Sequence, residues 1–307
     1  MKNHRQWLNC ALGIGLLALT ALFGIRLLWL PFHWIGAGLR WLSLSGTAGN
    51  LCALALYLLL GLLPMLLAIG RTWKPESWLL PCACCVLLYV LYYSVNPGLR
   101  PALLRGEAGD LILAGSFWSL LLCWVLIRFL NGMHLLDTSR ILRLLRFILK
   151  VCAGLLVLIG IGLGLYQLIG QLQALRQQNT LPGLNLLPTQ LMLFLSYGAT
   201  ATEYLLDAAV MVLTASLLGQ LEADPYSEAS CRCADMLVRR CRQALTIILL
   251  THTAMNLAKL LLAGHLLVVN TAFTIPVVSI AINLAALALS RLLVKGRQLK
   301  EDNDLFI

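Results

Sequence analysis

Apolar runs about as long as a bilayer is thick follow one another along this chain, separated by short polar breaks. A helix crosses ~30 Å of hydrocarbon in ~20 residues. The pattern predicts eight spans, at about 7–30, 47–70, 77–95, 111–130, 147–170, 188–219, 244–263 and 272–294. Turn-forming residues sit in the breaks, among them Pro31, Asn96-Pro-Gly98, Asn131-Gly132, Leu181-Pro-Gly183 and Asp224-Pro225. The fold-back over 264–272 carries the weakest punctuation. The ~10-residue alternating segments of a membrane strand barrel are absent. The expected fold is an all-α, polytopic integral membrane protein with about eight transmembrane helices.

Composition agrees. Of 307 residues, 60% are hydrophobic and 12% charged, and the mean hydropathy is +0.85. A soluble domain is about half apolar and a quarter charged. The net charge of +10 would suit nucleic acid, but in a chain this apolar the surplus is better read as basic cytoplasmic loops. With the N-terminus inside, only Arg26, Arg40, Arg100, Arg105 and Arg176 fall outside, and Arg128 and Lys259 lie within spans. The other 16 of the 23 basic residues collect on the inner face, which predicts a multi-pass cell-membrane protein with both termini cytoplasmic. Lys2 and Arg5 before an apolar run look like a signal peptide. The run carries on past Arg26 without a small-residue cleavage site, so it is read as the first span. None of the ten cysteines falls in a predicted outer loop, and nothing asks for an oxidising compartment. Segment 31–46 reads as an outer interfacial helix.

Each half contains a Pro-x-Ser turn followed by two spans and a charged tail: Lys74-Pro-Glu-Ser77 in one, Asp224-Pro-Tyr-Ser227 in the other. This suggests two parallel four-helix units, 1–146 and 147–307. The second unit also carries Asp224-Pro-Tyr-Ser-Glu-Ala-Ser230 and the terminal Leu299-Lys-Glu-Asp-Asn-Asp-Leu-Phe-Ile307. In these stretches residues 147–307 resemble the bacterial four-helix membrane proteins of domain of unknown function 2975. Phe306 departs from that pattern, where a Thr is usual, as does the N-terminal extension of residues 1–146. The resemblance implies a bacterial inner-membrane location and no known activity. It also implies a partnership with a small helix-turn-helix regulator, since members of that family are often paired with one.

Chemistry concentrates in the sixth and seventh spans. Glu203 and Asp207 are four residues apart and share one helix face. A carboxylate at membrane depth is costly unless paired, protonated or hydrated. His252, Asn256 and Lys259 form one stripe of the next span. Counting from inner ends near 219 and 244, Glu203 and Lys259 match in height, as do Asp207 and Asn256. The sequence therefore predicts an intramembrane polar cluster of Glu203, Asp207, His252, Asn256 and Lys259, with Asn283 as a further candidate. It reads either as a structural clasp or as a proton, cation or small-ligand site. Arg128 is expected to snorkel to phosphates.

Loop 220–243 reads as a short amphipathic helix capped by Ser227, continuing into the seventh span or lying under it. Its Arg232, Arg239, Arg240 and Arg242 would contact the membrane surface or a cytoplasmic partner, opposite a stripe of Cys233, Leu237 and Cys241. Cys231-Arg-Cys233 with Cys241 lacks a fourth ligand, so no metal is expected. No P-loop or G-x-S-x-G motif appears, and neither a cofactor nor an enzyme is expected. Two function classes fit: a sensory or regulatory membrane protein with a cytoplasmic regulator as partner, or a transporter or ion-coupled permease using the buried cluster. Direct nucleic-acid binding is not expected.

Overall fold

The computed structural model describes residues 2–24, 26–69, 73–133, 137–179, 185–224, 227–267 and 274–304, with backbone alone at 2–11, 22, 107–108, 133, 293 and 297–304. Arg71, the Leu181-Pro-Gly183 break, Pro225-Tyr226 of the turn, most of the fold-back over 264–272 and Leu305-Phe-Ile307 lie outside the described residues. Among the described residues the protein is all helix, as its hydropathy requires. Its α-helices are α1 (Lys2–Phe23), α2 (Arg26–Ser43), α3 (Thr47–Gly61), α4 (Leu79–Val95), α5 (Gly106–Met133), α6 (Thr138–Val157), α7 (Gly164–Gln178), α8 (Leu187–Ala223), α9 (Glu228–Leu261) and α10 (Val277–Asp304). Among the described residues seven helical stretches are long and apolar enough to cross a membrane, or up to eight if the broken pair Leu12–Ala21 and Arg26–Ser43 forms one span.

The first span differs from expectation. Helix α1 stops at Gly24, whose φ of 52° lies in the left-handed region that a side chain resists and glycine tolerates. Its N–H still closes onto the Thr20 carbonyl at 2.8 Å. Pro31 therefore lies inside α2, and the expected interfacial segment 31–46 is the larger part of that helix.

The contacts divide the chain into two compact units, 25–136 and 1–24 with 137–307. The expected boundary at 146/147 thus moves to 136/137, and α1 leaves the N-terminal unit. Close packing explains the transfer. Gly162 and Gly24 have no side chains, and Thr20 and Tyr166 occupy the space where a Cβ would stand.

The unit 25–136 is built from α2 to α5 around Trp29, Phe32, Leu87, Val90 and Phe117. Arg100, in the connection between α4 and α5, is folded inward. It pairs with Asp110 at 2.6 Å, and its guanidinium carbon lies 5.0 Å from the Trp29 ring centroid. Arg128 sits over Trp124 at 5.5 Å, so its flat cation is held by an aromatic face. Glu76 is buried and accepts a hydrogen bond from Asn131 Nδ2 at 3.1 Å.

In the other unit, α6 and α7 join through a π-helical segment, Leu158–Leu163. The combined rod has 41 residues, α8 has 37 and α9 has 34. At ~1.5 Å per residue these helices run ~50–60 Å, well beyond ~30 Å of hydrocarbon. We term the end that carries Arg143, Arg146, Arg232, Arg239 and Arg242 the basic overhang. There Leu217, Leu218 and Leu221 of α8 pack against Leu237 and Cys241 of α9. Arg143 and Arg146 of α6 reach Glu222 of α8 at 2.8 and 3.6 Å.

Of the two readings of 220–243, a helix continuing into the seventh span or lying under it, the structure has the first. Helix α8 runs to Ala223 and α9 starts at Glu228, so the stretch is mostly the first half of α9. The apolar stripe lies opposite the arginines, with Leu237 and Cys241 fully buried against α8. Ser227 caps α9 as expected, its hydroxyl accepting the Ser230 N–H at 3.2 Å.

Candidate functional site

The site lies where α8, α9 and α10 meet, at the level of the π segment. An α-helix presents residues three and four apart on one face, so α8 offers Glu203 and Asp207, and α10 offers Ser279 and Asn283. His252 of α9 completes the set. Its Nε2 lies 2.7 Å from Glu203 Oε2. The Ser279 hydroxyl touches Glu203 Oε1 at 2.6 Å and also contacts Asp207 Oδ2. Asn283 Nδ2 donates to Asp207 Oδ1 at 3.0 Å and to the Ser279 carbonyl at 2.8 Å. Asp207, His252, Ser279 and Asn283 are buried, and the Glu203 side chain is 13% exposed.

Packing behind α8 holds this geometry. Gly160, in the π segment, leaves room for Tyr204: a Cβ at position 160 would stand 2.6 Å from Tyr204 Cβ. A π turn inserts one residue into the helical ladder and often marks functional sites. Here it sits directly behind the acidic pair.

The structure brings together three of the five expected residues, Glu203, Asp207 and His252, with the further candidate Asn283, and adds Ser279. Lys259 and Asn256 are placed elsewhere. Asn256 exchanges hydrogen bonds with the Thr274 backbone, 3.2 Å to its carbonyl and 3.4 Å from its N–H. Lys259 lines a separate cavity. The reason is register: the turn lies at 224–227, so heights counted from 219 and 244 were offset. Glu203 is 20 residues from Ala223, His252 is 24 from Glu228, and Lys259 is 31. Ser279 was missed. Serine is common in apolar helices, and only its i,i+4 spacing to Asn283 marks the stripe.

The cavity beside Lys259 has a volume of about 200 Å³. Gln167, Gln171, Thr189, Ser196 and Thr200 also line it, so it is a polar space between helices. Thr200 lies one turn from Glu203, yet neither acid lines the cavity. Arg232, Arg239, Arg240 and Arg242 are exposed on α9; Arg232 pairs with Glu228 at 2.6 Å.

The chemistry turns on hydrogen counting. A serine hydroxyl carries one hydrogen and can give it to one acceptor. Two close carboxyl contacts are both satisfied when one carboxyl brings its own proton and donates to the serine oxygen. The bridge then resembles a carboxyl pair sharing a proton. Among the described residues no group of three His, Cys, Asp or Glu is arranged to hold a metal ion. No protein-family model, curated protein or solved structure matches this chain.

Proposed function

We propose that this is a sensory or regulatory protein of the bacterial inner membrane, with both termini cytoplasmic, that responds to protonation of the Glu203–Ser279–Asp207 bridge. The single observation carrying the reading is that one hydroxyl, with one hydrogen, lies between the buried Asp207 carboxyl and the half-buried Glu203 carboxyl. Gaining or losing the shared proton changes whether α8 and α10 are clasped. Among the described residues, Glu203, Asp207 and Tyr204 on α8 and His252 on α9 are the titratable groups at the bridge, and α10 presents only Ser279 and Asn283. Because α8 and α9 continue into the basic overhang, a shift at the bridge reaches Arg232, Arg239 and Arg242. A cytoplasmic regulator would read that surface. The resemblance of 147–307 to proteins paired with helix-turn-helix regulators supports the same partner.

The polar cavity favours a second reading, an ion-coupled permease in which solute enters beside Lys259. Neither Glu203 nor Asp207 lines that cavity, which supports the sensor over the permease. Reconstitution separates them. In vesicles with an entrapped pH dye, the sensor leaves proton flux at the level of empty vesicles, while an acid step changes the labelling of a cysteine placed in the overhang. Asp207→Asn, which mimics the protonated acid, abolishes that response. Proton flux lost in Asp207→Asn would establish the permease instead.

A further inference from the structure

We infer that an anionic phospholipid binds in the groove between α6, α8 and α9, with its headgroup held by Lys150 and Arg240. The groove has a volume of about 740 Å³. It exists because its lining is small where the helices approach: Gly154 on α6, Ala208 and Ala209 on α8, and Ala244 on α9. Leu205, Val212 and Ile247 are exposed along it, so it opens sideways and an acyl chain can enter from the hydrocarbon.

The charges are placed at one end only. Arg143 and Arg146 meet Glu222 and Gly160 meets Tyr204, so α6 runs antiparallel to α8. His252 meets Glu203, so α9 does the same. Lys150 and Arg240 are the first lining residues of their helices, each seven before the last, Val157 and Ile247. Both cations therefore share one end, and ~10 Å of groove extends beyond them. Gln243, which accepts from Arg240 at 3.3 Å, is the only other polar side chain lining it, and no acid does. Neither cation is held in an ion pair among the described residues.

Height supports the same occupant. Lys150 ends the basic run Arg140, Arg143, Arg146, and Arg240 lies in the basic run that ends at Arg242; beyond both, the helices turn apolar. That change marks the headgroup level of a membrane, where basic pockets between helices bind anionic lipid heads. A free phosphate would use the cations and leave the apolar groove unexplained. A zwitterionic lipid would fill the groove without matching its charge.

The test uses the purified full-length protein in detergent, exposed to equal phosphatidylglycerol and phosphatidylcholine and examined by native mass spectrometry. The wild type retains phosphatidylglycerol over phosphatidylcholine by roughly thirtyfold, as two cations near a headgroup would give. Lys150→Gln with Arg240→Gln abolishes the preference, whereas Arg232→Gln with Arg239→Gln, an equal loss of charge outside the groove, keeps it. Ala209→Trp, which fills the groove, reduces retention of both lipids, with helical content by circular dichroism confirming the fold of each variant. Equal retention of the two lipids by the wild type would overturn the proposal. So would loss of the preference in the Arg232/Arg239 variant, or displacement of the lipid by inorganic phosphate alone.

Discussion

Ser279 and Asp207, 72 residues apart in sequence, are in hydrogen-bond contact inside the bundle, and the same serine hydroxyl also reaches Glu203 at 2.6 Å. This contact joins α10 to the acidic face of α8. Both partners are almost wholly buried, at 1% and 2% exposure, so water cannot replace either one.

If one carboxyl of the bridge is protonated, an amide can stand in for it. Asp207→Asn keeps an acceptor for Asn283 and gains a donor toward Ser279, and its stability is expected to stay within about 1 kcal/mol of wild type. Asp207→Ala strips both partners and is expected to cost about 2–4 kcal/mol. Thermal unfolding in detergent gives the ranking; equal damage from both substitutions would sink the shared-proton description.

His252 and Lys259 belong to one helix but have different roles. His252→Ala leaves Glu203 Oε2 without its partner and is expected to cost about 1–3 kcal/mol. Lys259→Ala loses a cavity-lining side chain and is expected to change stability by less than about 0.5 kcal/mol. A larger loss for Lys259 would restore the Glu203–Lys259 pairing read from helix heights.

Two glycines of the same rod make an internal comparison. Gly160→Ala drives a methyl into Tyr204 and is expected to destabilise by about 1–3 kcal/mol. Around Gly170 nothing lies within 4 Å of an added Cβ, so Gly170→Ala is expected to be neutral or to stabilise by up to about 1 kcal/mol through helix propensity. Parallel melting curves check both signs.

Glu222 fastens the overhang through Arg143 and Arg146, whose side chains are 58% and 35% exposed. Pairs this wet are weak and screened by salt. Glu222→Gln is expected to cost no more than about 1 kcal/mol at low ionic strength, with the difference fading in high salt. A salt-independent loss would mean that Glu222 acts through packing.

The charge bias also makes a topological statement. A fluorescent reporter that matures only in the cytoplasm is expected to be active when fused after Ile307, and an alkaline phosphatase fused there is expected to be inactive. The reverse pair of results would invert the orientation.

Much of this was legible in the chain itself. Apolar length alone determined that the fold is helical and multi-spanning, because a backbone in hydrocarbon must satisfy its own hydrogen bonds. The i,i+4 spacing of Glu203 and Asp207, and of Ser279 and Asn283, determined that each pair shares a face, since that follows from helix geometry within one segment. Ser227 could be read as a cap for the same local reason. Only the tertiary structure decided what those faces meet. The height of one helix against another depends on where a turn falls, and the turn at 224–227 put His252, not Lys259, beside Glu203. The transfer of α1 to the C-terminal unit likewise depended on a glycine conformation and on two close approaches, Thr20 to Gly162 and Tyr166 to Gly24. Local sequence carries no measure of those distances, which arise when separate helices pack.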